Sequence, residues 1–276
     1  FSLLIGLSAG IYPAFILSSF RPIVVLKGNF KSGRYGRVLR NALVVFQFSI
    51  SVILIICTII VNSQMRFMTS EKLGFNKEHT IIIERTDLLG DQTRAFKNEL
   101  LKMAGISHVS GGSSLPGIEN FFGVSWQKQG TNNSLTGRGI ITDDQYAATL
   151  GLEVKEGRFF SKDFLTDSLA IVLNERAVME LGLEKPIGTQ LTSPDEFYNG
   201  QDGSTLVYTV IGVVKDFHYQ SLHNPISPLV FTSSSRFKDI LFMTAVQVKP
   251  ADFSASLKSI DNKWKEFVKD RPFQYT

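Results

Sequence analysis

LVVFQFSISVILIICTIIV, residues 43–61, is a run of nineteen residues without a charge. At 1.5 Å of rise per residue a helix of this length covers about 28 Å, close to the roughly 30 Å of hydrocarbon in a bilayer. We read it as a transmembrane helix. Its polar residues, Gln47, Ser49, Ser51 and Thr58, are uncharged. In lipid the hydroxyls bond back to their own helix, whereas the Gln47 amide seeks a neighbouring helix, which points to a bundle. A buried helix of a large soluble protein would usually show a polar stripe and seldom runs this long. Cys57, the single cysteine, lies within this run and reads as a small apolar filler.

Upstream, residues 1–20, FSLLIGLSAGIYPAFILSSF, form a second uncharged run, interrupted by Gly6, Gly10 and Pro13. Membrane helices tolerate such residues, and Gly6, Ala9, Gly10 and Ala14 offer a small-residue face for close packing. The chain opens inside this run and without Met, so it is expected to be a piece of a longer protein whose preceding span ends here. Between the two runs, Arg21, Lys27, Lys31, Arg34, Arg37 and Arg40 stand without an acidic residue in 21–42, leaving −2 of the formal net charge of +4 for the rest. The basic excess is therefore local. Pro22 and the Gly/Ser content of residues 27–36 predict a connecting loop. Its charge predicts a cytoplasmic position, facing anionic lipid headgroups rather than nucleic acid. The first span then descends into the cell and the second climbs out. Residues 62–75 continue as an amphipathic stalk, and 76–276 are expected outside the cytoplasm.

That last portion alternates strands and helices. Strands are predicted at 80–83 and 106–110 around a helix at 91–103 with Phe96, Leu100 and Leu101 inward, a βαβ-like unit. Residues 111–117 read as a loop, 122–127 and 139–142 as strands about the turn at 130–133, and 145–150 as a short helix closed by Gly151. A strand at 169–173 precedes a helix capped by Asn174 and ended by Gly182. A polar loop, 192–204, leads to the strongest strand, 206–214. Strands at 229–232 and 241–248 follow. The helix at 255–269 carries Leu257, Ile260, Trp264, Phe267 and Val268 at helical spacing, and Phe273 starts another strand. The fold class expected is membrane α-helices plus an α+β extracytoplasmic domain, built of two ferredoxin-like, porter-like βαβ halves with a β-rich insertion.

The chemistry-bearing residues are sparse. The glycine-rich 111–117 lacks the Gly-Lys-Ser/Thr ending of a phosphate loop, and Pro116 removes a donor. Asp216, His218 and His223 lie too irregularly for one helical or strand face and lack further metal ligands, so a loop bonding its own backbone is expected. Asp143, Asp144, Asp163 and Asp167 read as solvated loop carboxylates. No nucleophile or zinc-binding signature occurs. No catalytic, cofactor or metal residue is assigned, and the chain is not expected to be an enzyme.

The order of these parts resembles the permease subunits of FtsX-like ABC transporters carrying a MacB-like periplasmic core domain, in particular the duplicated permeases common in Bacteroidota. The residues that carry the resemblance begin with Gly10-Ile-Tyr-Pro-Ala14, Leu17-Ser18, Pro22 and Leu26-Lys-Gly28. They continue with Leu39-Arg-Asn41, Gln47-Phe-Ser49 and Leu73-Gly-Phe75. In the globular part they are Leu115-Pro-Gly117, Gly157-Arg-Phe159, Leu173-Asn-Glu175, Gly182, Pro186-Ile-Gly188, the run 211–218 and Ser221-Leu-His223. The resemblance implies a multi-pass protein of the cell inner membrane with its large domain in the periplasm. It further implies an ABC ATPase subunit as partner, which binds ATP in place of any cofactor here. A second permease half or a homodimer, and an adaptor or outer-membrane protein, are further implied partners. Cytoplasmic ATP hydrolysis would be passed through the helix to move the periplasmic domain, in efflux, lipoprotein release or a cell-envelope process. The competing readings are a membrane-anchored sensor with an extracytoplasmic ligand-binding domain and a tethered enzyme.

Overall fold

The computed structural model describes residues 14, 34–70, 73–76, 78–118, 121–237, 240–269 and 271–276. They divide into two units, Phe1–Ser70 and Glu71–Thr276. Apart from Ala14, the span expected at 1–20 lies outside the described residues, as do Arg21, Lys27 and Lys31 of the basic stretch.

The first unit contributes one long helix, α1 (Arg34–Ser70, 37 residues). Within it Gly36–Arg66 is long and apolar enough to cross a membrane. Every side chain from 36 to 66 is exposed, a far larger apolar surface than water-soluble monomers present. Ser49, Ser51 and Thr58 donate to the carbonyls of Val45, Gln47 and Leu54, four residues back, at 2.8, 3.0 and 2.8 Å. The loop expected over 21–42 is corrected at its end: Arg34, Arg37 and Arg40 lie on the first turns of α1. Extending a nucleated helix adds one hydrogen bond per residue, and a single glycine such as Gly36 costs only about 1 kcal/mol, too little to stop it.

The second unit is mixed α/β. In chain order its elements are β1 (Thr80–Glu84), α2 (Thr93–Leu101), β2 (Ile106–Gly112), β3 (Phe122–Lys128), β4 (Ser134–Thr142), α3 (Tyr146–Leu150) and β5 (Val154–Gly157). There follow β6 (Ala170–Asn174), α4 (Glu175–Glu180), β7 (Gln190–Thr192), β8 (Val207–Val214), β9 (Leu229–Ser233), β10 (Met243–Val248) and α5 (Phe253–Phe267). Among the described residues the strands join one sheet in the order β1-β10-β2-β4-β3-β7-β8-β6-β9, with β5 on β8. β4 also pairs with β9 in parallel, which closes β4, β3, β7, β8, β6 and β9 into a ring. Each of these six strands sends side chains into one core cluster, where Trp126, Leu135, Leu173, Leu191, Tyr208 and Val230 are buried.

The end of the sheet corrects the expected pair of successive halves. β1 and β2 both run antiparallel to β10, which lies between them. Strands from both ends of the unit therefore lie side by side, and residues 113–242 are inserted between β2 and β10. The reason is burial: Ile81, Ile83, Val109, Val246 and Val248 cover one face only when α2 and α5 lay Phe96, Leu100, Ile260 and Trp264 against it. Phe96 packs edge-on to Trp264 at 5.9 Å. Leu101, expected inward, is 44% exposed, because it sits about 100° around the helix from buried Leu100. The helix expected over 91–103 is shorter, running Thr93–Leu101, and is preceded by a 3₁₀ segment, Thr86–Gln92, that is kinked at Gly90 (φ 49°). Gly111 and Gly112, expected in a loop, belong to β2. Beyond α5, Tyr275 makes an isolated bridge to Ile83 where Phe273 was expected to start a strand.

Asn174 caps α4 as its sequence signature predicts, accepting from Ala177 N at 3.0 Å. The same Oδ1 accepts from Leu229 N at 2.8 Å, and Nδ2 donates to Ser227 O at 3.1 Å. One buried amide thus ties β6, α4 and the start of β9 together. Asn174→Ala strands two buried N–H groups and should lower stability by about 2 kcal/mol, read as a shift of the thermal midpoint of the purified chain.

Candidate functional site

Two places in the second unit combine unusual geometry with polar groups. The first is where the chain enters the domain. Leu73 O accepts from His218 N at 2.8 Å, and Asn76 N donates to Leu150 O at 2.7 Å. Phe75 meets Phe217 edge-on at 6.4 Å. Gly74 has φ +82°, and a Cβ there would lie 2.7 Å from Phe217 Cβ and 3.0 Å from Phe217 Cα. Only glycine fits this left-handed, closely packed position. The loop it docks on is itself held: Asp216 N donates to Glu175 Oε2 at 3.0 Å and Asp216 Oδ1 accepts from Arg176 N at 3.0 Å. Burial pushes the Asp216 carboxyl above its ordinary range. The hydrogen bond from Lys155 holds that of Glu175 below its own. His218 acts here through its backbone, and His223 is exposed. Among the described residues no three His, Cys, Asp or Glu side chains are grouped to hold a metal. In the sequence 211–218 and 73–75 stand as separate features. The fold makes them one contact.

The second place is a cleft beside α2. Asp143, expected to be solvated, is buried and ion-paired with Lys97 of α2. Asp143 Oδ2 also accepts from Gly111 N at 2.6 Å, and Oδ1 from Gln145 N at 3.0 Å. Burial pushes its carboxyl up, while Lys97 and the Gly111 N–H oppose that shift. Asp144 stays half-exposed, accepting from its neighbour Gln145 Nε2 at 2.7 Å. Asp167 is likewise corrected: it is buried under a two-pronged pair with Arg158, both contacts 2.7 Å, and accepts from Ser161 N at 2.9 Å. Asp163 is exposed.

The glycine-rich stretch after β2 spends its donors internally. Gly111 N reaches Asp143, Ser113 N reaches Ile141 O at 2.8 Å, and Gly117 N reaches Tyr219 O at 3.1 Å. A cradle for phosphate would need those N–H groups free. Asp163 accepts from Ser161 Oγ at 3.2 Å, an exposed contact within one turn of loop.

Residues 42–262 match the family described as MacB-like periplasmic core domain. No curated protein matches the chain in sequence. Among solved structures, the periplasmic region of MacB from Actinobacillus actinomycetemcomitans is similar with a TM-score of 0.52 at 18% identity, over 74% of this chain and 90% of that one. That likeness is one of fold. The extracellular domain of the ABC-type transporter YknZ from Gram-positive bacteria gives a TM-score of 0.49 at 14% identity, over 71% of this chain and 99% of that one.

Proposed function

The chain belongs to the MacB-like periplasmic core domain family, and on that premise we propose that it is the membrane permease subunit of an ABC transporter. In this reading a separate cytoplasmic ATPase subunit supplies the energy, and α1 carries motion to a domain in the periplasm. The observation that bears most weight is that the family match begins at residue 42, inside α1, and runs through the domain. Helix and domain thus recur together, as a transmitting part and its load would. A helix transmits force only if its far end is anchored, and the docking of Leu73, Phe75 and Asn76 on residues 150 and 217–218 supplies an anchor. The arginines of the first turns of α1, with no acidic residue in 21–42, favour the cytoplasmic side for that end and anionic lipid around it. A multi-pass arrangement in the inner membrane, a second permease half or homodimer, and an adaptor or outer-membrane protein complete the proposal.

The test has two arms. In intact cells, with Cys57 replaced by Ala, an impermeant maleimide should label Thr131→Cys and spare Gly36→Cys; the reverse pattern overturns the orientation. Co-expressed with an ABC ATPase subunit, the full chain should co-purify and raise ATP turnover. A chain that instead stimulates a kinase belongs to the sensor class.

A further inference from the structure

The cleft beside α2, about 640 Å³, and a neighbouring cavity of about 340 Å³ share Asp143, Asp144, Lys162 and Ser234, and so form one continuous groove. Lys97 and Asp143 neutralise each other within it. Asp91, just ahead of α2, and Arg94, on its first turn, have no side-chain partner among the described residues, nor does Lys162. Asp144 is engaged only by the neutral amide of Gln145. The groove therefore presents two uncommitted cations and two carboxylates available to a ligand, distributed over three separate lining segments.

We infer that this groove binds an extended polypeptide segment carrying charges of both signs. A polyanion would meet Asp91 and Asp144, and a polycation would meet Arg94 and Lys162; either is repelled by half of the lining. A neutral apolar ligand would desolvate four charges and pair none of them. Asn98, Gln145, Ser234 and Ser235 supply amide and hydroxyl groups suited to a peptide backbone. Apolar side chains find room at Leu101, Phe237 and Leu241 in the larger cavity and at Phe164 and Leu165 in the smaller. Leu165 is 92% exposed, so an apolar surface already stands at the smaller cavity without a partner. Two joined cavities also suit an elongated ligand better than a compact one. This inference names a ligand class for the domain whose transport role is proposed above. Its measurement needs no ATPase and no transport, so its failure leaves that role standing.

The experiment uses the full chain in lipid nanodiscs and three fluorescein-labelled ten-residue peptides: one with two Lys, two Glu and a central Leu-Phe pair, one all Glu, one all Lys. Fluorescence anisotropy should show saturable binding of the mixed peptide and at least about tenfold weaker binding of either homopolymer. The pair Arg94→Glu with Lys162→Glu should weaken the mixed peptide about tenfold or more while leaving the melting temperature in place. Asp91→Lys with Asp144→Asn should do the same by an independent route. The inference is overturned if the mixed peptide does not bind, if a homopolymer binds as well, or if neither pair of substitutions matters. It is equally overturned if those substitutions instead dissolve a dimer of the wild-type chain in sedimentation, which would make a second copy the occupant.

Discussion

Gly74→Ala should destabilise the second unit by about 3 kcal/mol, whereas Gly117→Ala should cost about 1 kcal/mol, although both glycines hold nearly the same backbone angle. Gly74 has φ +82° and Gly117 φ +86°, so an alanine carries the same left-handed strain at either site. What differs is the surroundings. A Cβ at Gly117 meets nothing within 4 Å, while at Gly74 it runs into the Cβ and Cα of Phe217. Phe217 cannot give way, being buried among Phe231, Tyr219 and Phe75. The chain must therefore lift off, breaking the bond from His218 N to Leu73 O. For about 200 residues the melting temperature should fall roughly 6–12 °C for Gly74→Ala and 2–4 °C for Gly117→Ala. If the proposed transmission is right, stimulation of the ATPase should fall in Gly74→Ala at temperatures where the domain is still folded, with membrane insertion unchanged. Equal melting points for the two variants would show that the contact with Phe217 is loose.

Much of this was legible locally. The apolar run at 43–61, the cap at Asn174 and the alternation over 206–214 depend on neighbours a few residues away, and each emerges as an element close to where its pattern lies. The misses are of another kind. β5 (Val-Lys-Glu-Gly) and β7 (Gln-Leu-Thr) are too short and polar to announce themselves, and exist because β8, paired with β6 along one edge, offers them free backbone groups along the other. Tyr198, within the expected polar loop, is buried by packing tilted against Trp126 and edge-on to Phe237, contacts no local pattern carries. The place of β10 between β1 and β2 is decided by pairing across more than 130 residues of sequence. Of the four aspartates read as solvated, Asp143 and Asp167 are buried, each against a cation, 46 and 9 residues away. A carboxylate's burial is a property of its partner's position, and a single sequence does not display that position.

That buried pair carries the remaining prediction. Lys97→Met keeps most of the side-chain volume but leaves the Asp143 carboxylate uncompensated between α2 and Gly111, which should cost about 3 kcal/mol at pH 7.5. The cost should depend on pH, and its sign follows from the direction of the shift. Burial already raises the Asp143 carboxyl above its unfolded value of 3.8, with Asp144 adding to that and Lys97 opposing it. A folded state that holds its proton more tightly than the unfolded chain loses stability as pH rises through the window between the two values. Removing Lys97 removes an opposing charge, so the folded value climbs and the window extends toward neutrality. The variant should therefore be most impaired at neutral pH and regain part of the loss on acidification toward pH 5, where Asp143 binds a proton and no longer needs the cation. Adding Asp143→Asn to Lys97→Met should abolish the extra pH slope, because no titrating group is left at that position. Thermal melts of the wild type, the single and the double variant between pH 5 and 8 decide it. A loss independent of pH would mean that water reaches Asp143 once Lys97 is gone, and that the pair holds the wall of the groove by packing rather than by charge.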